Sequence, residues 1–189
     1  MLAGLAAADT AGFRSIRINA VSIRGLSEAE ILPLAEFCRR AGLHLRFIEF
    51  MPLDAEQSWA DDRVLSGAEV RAILEREIGP LEPLEPTDPG QPAADWRWAD
   101  GGGLVGFIDP VSRPFCDRCD RLRLTADGQF RNCLFSACEW DVRQLLRGGG
   151  DDSAIAALLQ ECVAAKRAAH GIGSPGFVLP ARAMYQIGG

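Results

Sequence analysis

The sequence predicts an α/β fold followed by a smaller unit that carries a metal, and three observations support that expectation. Two segments rich in Ile, Val, Leu and Phe, 15–23 and 43–52, alternate with segments of helical periodicity. Five prolines fall within the fourteen residues 79–92, where neither a helix nor a central strand can persist. Beyond that break, Cys116, Cys119 and Cys133 form a C-x2-C-x13-C array with metal-like spacing.

Residues 1–11 read as a short helix stopped by Gly12, and SIRINAVSI at 15–23 as a strand closed by Gly25. Ser27 and Glu30 have capping-box spacing ahead of Ile31, Leu34, Ala35 and Cys38, whose periodicity marks a buried stripe that ends at Gly42. LHLRFIEFMP at 43–52 is the second strand. Ser66 and Glu69 repeat the capping-box spacing and start a helix that carries Val70, Ile73, Leu74 and Ile78 inward. Short connections, and strands apolar along most of their length, indicate a parallel sheet or part of a barrel. The proline-rich segment is the boundary candidate, dividing the chain into 1–80 and 81–189. Past it, DWRWADGGGLVGFIDP looks like a hairpin turning at Gly101–Gly103. The cysteine region follows, then two helices over DVRQLLRG and DDSAIAALLQECVAAKRAAHG.

With 189 residues, 48% hydrophobic and 24% charged, the chain can bury a real core. A formal net charge of −6 argues against nucleic acid as the main partner, because holding a phosphate backbone needs a dominant basic field. Six cysteines, at 38, 116, 119, 133, 138 and 162, are too sparse for a disulfide scaffold. Their clustering favours metal ligation in a reducing compartment, so a cytoplasmic protein is expected. No apolar run approaches the roughly 18 residues of a membrane span, and the first residues lack the features of a signal peptide. Cys38 and Cys162 sit in helical stripes as buried hydrophobes. His44 and His170 are isolated, with no partner visible in the sequence, and there is no Walker loop or Rossmann fingerprint.

For the three clustered cysteines, spacing alone leaves two readings balanced. A structural zinc site would recruit Cys138 as a fourth ligand, whereas an iron–sulfur cluster on three thiolates keeps one position open for a substrate. The neighbouring RLRLT places Arg121 and Arg123 on one strand face and Leu122 and Leu124 on the other. Two planar donor forks beside an open metal position suit a purine or phosphate ligand, which favours the functional reading. On the first sheet, Arg17 and Asn19 at i and i+2, with Arg46 in the second strand, could line one enclosed space. Met51, before Pro52, stands at the carboxyl end of its strand, where ligands collect in α/β sheets.

INAV at 18–21, LRFIEFMPL at 45–53, FCDRCDRLRLTADG at 115–128, CLF at 133–135 and the terminal IGG together resemble the GTP 3′,8-cyclase family. This is a lyase family of radical S-adenosylmethionine enzymes that opens molybdenum cofactor biosynthesis with its pathway partner, cyclic pyranopterin monophosphate synthase. The resemblance runs over nearly the whole chain. It implies the C-terminal part of a partial (α/β)6 radical SAM barrel, followed by a small α+β region with an Fe–S cluster. It also implies that Cys116, Cys119 and Cys133 hold a second [4Fe–4S] cluster whose free iron meets the guanine of GTP. Arg17, Arg46, Arg121 and Arg123 would then contact GTP, with Arg17 standing where the family usually has a lysine. Met51 would border S-adenosylmethionine, and the terminal Gly188-Gly189 would reach the active site and assist catalysis. A homodimer is implied for the intact enzyme. No C-x3-C-x2-C motif occurs in the sequence, so the first, radical-generating [4Fe–4S] cluster has no ligands here. The expectation is a C-terminal fragment, inactive alone, of an enzyme that converts GTP to (8S)-3′,8-cyclo-7,8-dihydroguanosine 5′-triphosphate.

Overall fold

The computed structural model describes residues 2–55 and 58–187. They form two compact units, one of residues 2–50 and 62–113, the other of residues 51–55, 58–61 and 114–187.

The first unit contains α1 (Leu2–Thr10), β1 (Arg17–Ser22), α2 (Glu28–Ala41), β2 (His44–Glu49), α3 (Gly67–Glu77), β3 (Leu81–Pro83), β4 (Ala94–Trp98) and β5 (Leu104–Ile108). Its sheet has the order β1-β2-β5-β4-β3. β1 and β2 run parallel as the sequence indicated, and β5 joins them in parallel, while β4 and β3 run antiparallel, so the sheet as a whole is mixed. The antiparallel part comes from the 94–108 hairpin, whose tight turn can only join antiparallel strands.

Alternation along the strands gives the sheet two unlike faces. Leu45, Phe47, Val105, Phe107 and Trp98 point to one face and pack with Ile31, Ala35 and Cys38 of α2 and Val70 and Leu74 of α3 into a single core. At about 25 cal/mol per Å² of apolar area, this is the main force holding the unit together. On the opposite face lie Arg17, Asn19, His44, Arg46 and Asp95.

The helix starts differ from one another. At α3 the Ser66 hydroxyl accepts from Glu69 N at 3.3 Å and Glu69 Oε2 accepts from Ser66 N at 3.0 Å, a complete capping box. At α2 the expected box does not form. Ser27 is the N-cap, but its hydroxyl accepts from Ile23 N at 2.7 Å and donates to Ile23 O at 3.0 Å, so the preceding turn has taken the group the cap would use.

The proline-rich segment is not where the compact units divide. β3 lies inside it as a three-residue edge strand, the position in a sheet that tolerates proline. The first unit continues through β5 to residue 113, whereas the expected division fell between 80 and 81.

The second unit holds a three-stranded antiparallel sheet, β6 (Arg123–Leu124), β7 (Gln129–Arg131) and β8 (Trp140–Asp141), with α4 (Val142–Arg147) and α5 (Asp152–Ala164). Gly128 makes the β6–β7 turn with φ +81°, and its carbonyl accepts from Val142 N and Arg143 N. A Cβ there would stand 2.5 Å from Arg143 Cβ, so α4 can start only against a glycine. Among the described residues, no helix is long and apolar enough to cross a membrane.

Candidate functional site

The cysteines of the array sit on two loops of the second unit. Cys116 opens a 3-10 turn, Cys116–Arg118, with Cys119 closing it, and Cys133 follows β7. All three are half-buried free thiols, whereas Cys138 is exposed and Cys38 and Cys162 are buried in their helices as expected.

Each of the three sulfurs has N–H donors turned toward it. Arg121 Nε and Nη2 both donate to Cys119 Sγ at 3.3 Å, Phe135 N donates to Cys133 Sγ at 3.5 Å, and the His170 backbone N–H faces Cys116. Burial pushes the Cys116 thiol above its ordinary value, and the nearby Cys133 and Cys119 add to the push, so the three sulfurs sense one another. Burial also raises Cys119, but the Arg121 backbone and guanidinium, with Lys166 behind them, outweigh it and hold that thiol low.

Arg121 and Arg123 face inward, and the leucines between and after them face solvent, with Leu122 37% and Leu124 60% exposed. The usual arrangement, arginine out and leucine in, is inverted here. Arg121 stacks over Phe115 at 4.7 Å. Burial lowers the Arg123 guanidinium from its usual value, and its Nε is buried with no hydrogen-bond partner among the described residues.

Three residues that sequence reasoning passed over shape this segment. Lys166 is the only lysine in the chain, and its Nζ donates to Arg121 O and Asn132 O, both at 2.8 Å. Asn132 returns a bond from Nδ2 to Cys162 O at 2.7 Å, so the end of α5 clasps both cysteine loops. Arg131, 3% exposed, pairs with Glu139 and donates to Leu134 O at 3.2 Å and Ser136 O at 2.6 Å, which shapes the loop after Cys133. Arg182 binds Asp127 Oδ2 at 2.8 Å and Glu139 Oε1 at 2.7 Å, tying the C-terminal tail to the β6–β7 turn and to that same loop. A lysine unique among twenty cationic side chains was a signal available in the sequence; Arg131 and Arg182 gave none.

In the first unit, register places Arg17 beside His44 and Asn19 beside Arg46. Arg17, Asn19 and Arg46 therefore share one face of the sheet, with Arg17 and Asn19 exposed on it. Arg17 is exposed, and its side chain makes no hydrogen bond or ion pair among the described residues. Arg46 Nη2 binds Asp95 Oδ2 at 3.1 Å. His44, isolated in sequence, has its Nε2 3.2 Å from Asp95 Oδ1, so it does have a partner. Sequence could not reveal it, because Asp95 comes from a strand two positions away across the sheet.

Met51 is half-buried in the second unit. A cavity of about 110 Å³ opens nearby, lined by Leu53, Asp54 and Trp59 and by Arg182, Tyr185 and Gln186 of the tail. Gly188 and Gly189 lie outside the described residues, and Ile187 before them is fully buried. Among the described residues, no three His, Cys, Asp or Glu side chains are gathered as a single metal ion would require.

The family profile described as Molybdenum Cofactor Synthesis C matches residues 43–172. The chain is 46% identical over 188 residues to a GTP 3′,8-cyclase of Rhodopirellula baltica, covering 98% of this chain and 52% of that protein. It is 45% identical to the GTP 3′,8-cyclase of Mycolicibacterium smegmatis over 195 residues, covering 100% of this chain and 53% of that protein. The figures for GTP 3′,8-cyclase 2 of Mycobacterium tuberculosis are 45% over 194 residues, with coverage of 100% and 53%. The chain spans about half the length of the curated relatives it matches.

Proposed function

The chain belongs to the Molybdenum Cofactor Synthesis C family, and from that premise we propose that it is the substrate-holding part of a GTP 3′,8-cyclase. Cys116, Cys119 and Cys133 hold a [4Fe–4S] cluster in this reading. The observation that carries it is the set of N–H donors on all three sulfurs. Such donors stabilise anionic thiolates, and in iron–sulfur proteins they also tune the cluster. The donor set fits, and Cys138 is left out.

The cluster would supply an open iron for the guanine of GTP. The chain's own residues do the placing. Arg123, with an unpartnered buried Nε, and Arg121 would donate to the nucleotide, while Arg17 and Arg46 would offer guanidiniums on the polar sheet face of the first unit. Holding the ribose still is the protein's main contribution to a reaction whose hard chemistry belongs to the cofactors. Met51 would border S-adenosylmethionine, and Gly188 and Gly189 would reach the reacting centre. The first [4Fe–4S] cluster that cleaves S-adenosylmethionine needs a C-x3-C-x2-C loop, which these residues lack, so the chain alone should hold GTP without converting it. Its place would be the cytoplasm, ahead of cyclic pyranopterin monophosphate synthase, in an enzyme that is a homodimer when intact.

Anaerobic reconstitution followed by iron, sulfide and zinc analysis tests the reading. About four irons per chain are expected, retained in Cys138→Ala and lost in Cys133→Ala. GTP should perturb the cluster's spectrum, and less so in Arg123→Ala. One zinc per chain that disappears with Cys138→Ala would replace the cluster with a structural zinc site.

A further inference from the structure

The polar face of the first unit contains an ion pair that skips a strand. Register sets Arg46 of β2, Gly106 of β5 and Asp95 of β4 in one row. Arg46 and Asp95 are thus two inter-strand spacings apart, roughly 9.5 Å, yet their side chains meet at 3.1 Å directly over Gly106. A Cβ on residue 106 would stand 2.4 Å from Asp95 Oδ1 and 3.1 Å from Arg46 Cγ. Only glycine leaves the path open. His44 closes the group from the neighbouring position on β2, with its Nε2 3.2 Å from Asp95 Oδ1 but not aligned for a hydrogen bond. The three side chains are only 14–16% exposed. Each keeps one buried polar atom without a hydrogen bond among the described residues: Arg46 Nε, Asp95 Oδ1 and His44 Nε2. Arg17, on the same face, is exposed and carries an unopposed charge.

We infer that Asp95, reaching over Gly106, is a positioning residue that fixes the Arg46 guanidinium and offsets its charge, so that Arg46 accepts the uncharged part of the nucleotide and leaves the phosphates to Arg17. This rests on the proposed GTP-holding role and adds a division of labour to it. A guanidinium already paired with a carboxylate attracts a polyphosphate weakly, because the anion must compete with Asp95. Its remaining N–H, held in a fixed plane beside one acceptor and one imidazole, gives directional hydrogen bonds to a ribose or base edge.

The test uses the full chain and two probes, guanosine and inorganic tripolyphosphate, with binding measured calorimetrically. Asp95→Asn keeps the shape and removes the charge. It should bind tripolyphosphate several-fold more tightly and guanosine several-fold more weakly, a pair of opposite shifts that loss of folding cannot produce. Both shifts should vanish when Asp95→Asn is made on an Arg46→Met background. Equal weakening of both probes, or no change in either, overturns the inference. A readout without ligand keeps the two proposals separable: the Arg46 guanidinium protons should give resolved, slowly exchanging NMR signals that collapse in Asp95→Asn. If they collapse while the wild-type chain binds neither probe, the nucleotide reading fails and the positioning of Arg46 stands. If they do not collapse, Asp95 does not position Arg46.

Discussion

At the scale of single residues, the groups that matter most are those whose partners are far away in sequence. Asp109 follows β5 and accepts from Gly67 N at 2.9 Å, the first residue of α3. Burial, with the Glu49 carboxylate adding to it, raises Asp109 from 3.8 to about 6. The folded chain therefore keeps a proton there that the unfolded chain releases near pH 4. Stability from this group is full below about pH 4 and is lost as pH rises through about 6. Asp109→Asn keeps an acceptor for Gly67 and cannot titrate. Its melting temperature should exceed that of the wild type by a margin that grows between pH 4 and 7, and a margin constant with pH would refute the assignment. The sequence marked neither Asp109 nor Asp95, because a carboxylate in a loop or strand looks solvated until its neighbours are known. Cys116, Cys119 and Cys133 stand out as candidates because their short spacing is itself the signal, and Arg121 and Arg123 because they alternate with leucines, although only Arg123 lies in β6. Which face would turn inward was not legible, and the structure half-buries the arginines while exposing Leu122 and Leu124.

Lys166 belongs at the same scale. Its two carbonyl bonds join the Cys119 loop to the Cys133 loop, and its charge lies close enough to favour the Cys119 thiolate. Lys166→Met should lower the iron retained after reconstitution, and Lys166→Arg should restore part of it. Full retention in Lys166→Met would show that the clasp does not serve the metal.

At the scale of elements, helices and strands were legible wherever local chemistry decides them. The β4–β5 hairpin, the β6–β7 turn and α2 through α4 lie where periodicity and glycine placed them, whereas α5 stops at Ala164, short of the Gly171 to which its expected helix ran. Two capping boxes with the same spacing nevertheless behaved differently, since Ser27 closes the turn before α2 while Ser66 caps α3. Capping chemistry is local, but competition for one hydroxyl depends on the backbone path into the helix. Ser66→Ala should cost about 1 kcal/mol in urea denaturation without changing the slope, as loss of a working N-cap does. A cost under ~0.3 kcal/mol would mean that Glu69, also held by Arg24 at 2.8 Å, fixes the helix start by itself. The proline-rich segment misled for a related reason. Proline forbids a central strand but tolerates an edge, and only the completed sheet shows that β3 is an edge.

At the scale of the whole molecule, the least legible feature is how the C-terminal tail is held. Residues 172–187 carry little regular structure, which by itself would leave them loosely attached. Instead, Ile187 is fully buried, Met184 N donates to Leu53 O at 2.9 Å, and Arg182 grips Asp127 and Glu139. Asp127 also sits in the turn that Gly128 makes, so the tail, the β6–β7 turn and the loop after Cys133 share one charge network. Hydrogen bonds from Arg182, then from Thr125, hold the Asp127 carboxyl well below its usual range. A group lowered in this way contributes stability above its unfolded value and loses it as pH falls toward the folded one, so the clip holds at neutral pH and releases in acid. Arg182→Met should release it at every pH. Hydrogen exchange over residues 177–187 would then be fast at pH 7 in the variant and slow in the wild type, with the two converging in strong acid. Iron retention tells a tail clip from a general loss of the unit. Arg131 keeps its own bonds to Glu139, Leu134 and Ser136, so the iron retained after reconstitution under the proposed reading should be the same in Arg182→Met as in the wild type. A variant that lost metal and tail protection together would show instead that Arg182 supports the whole second unit.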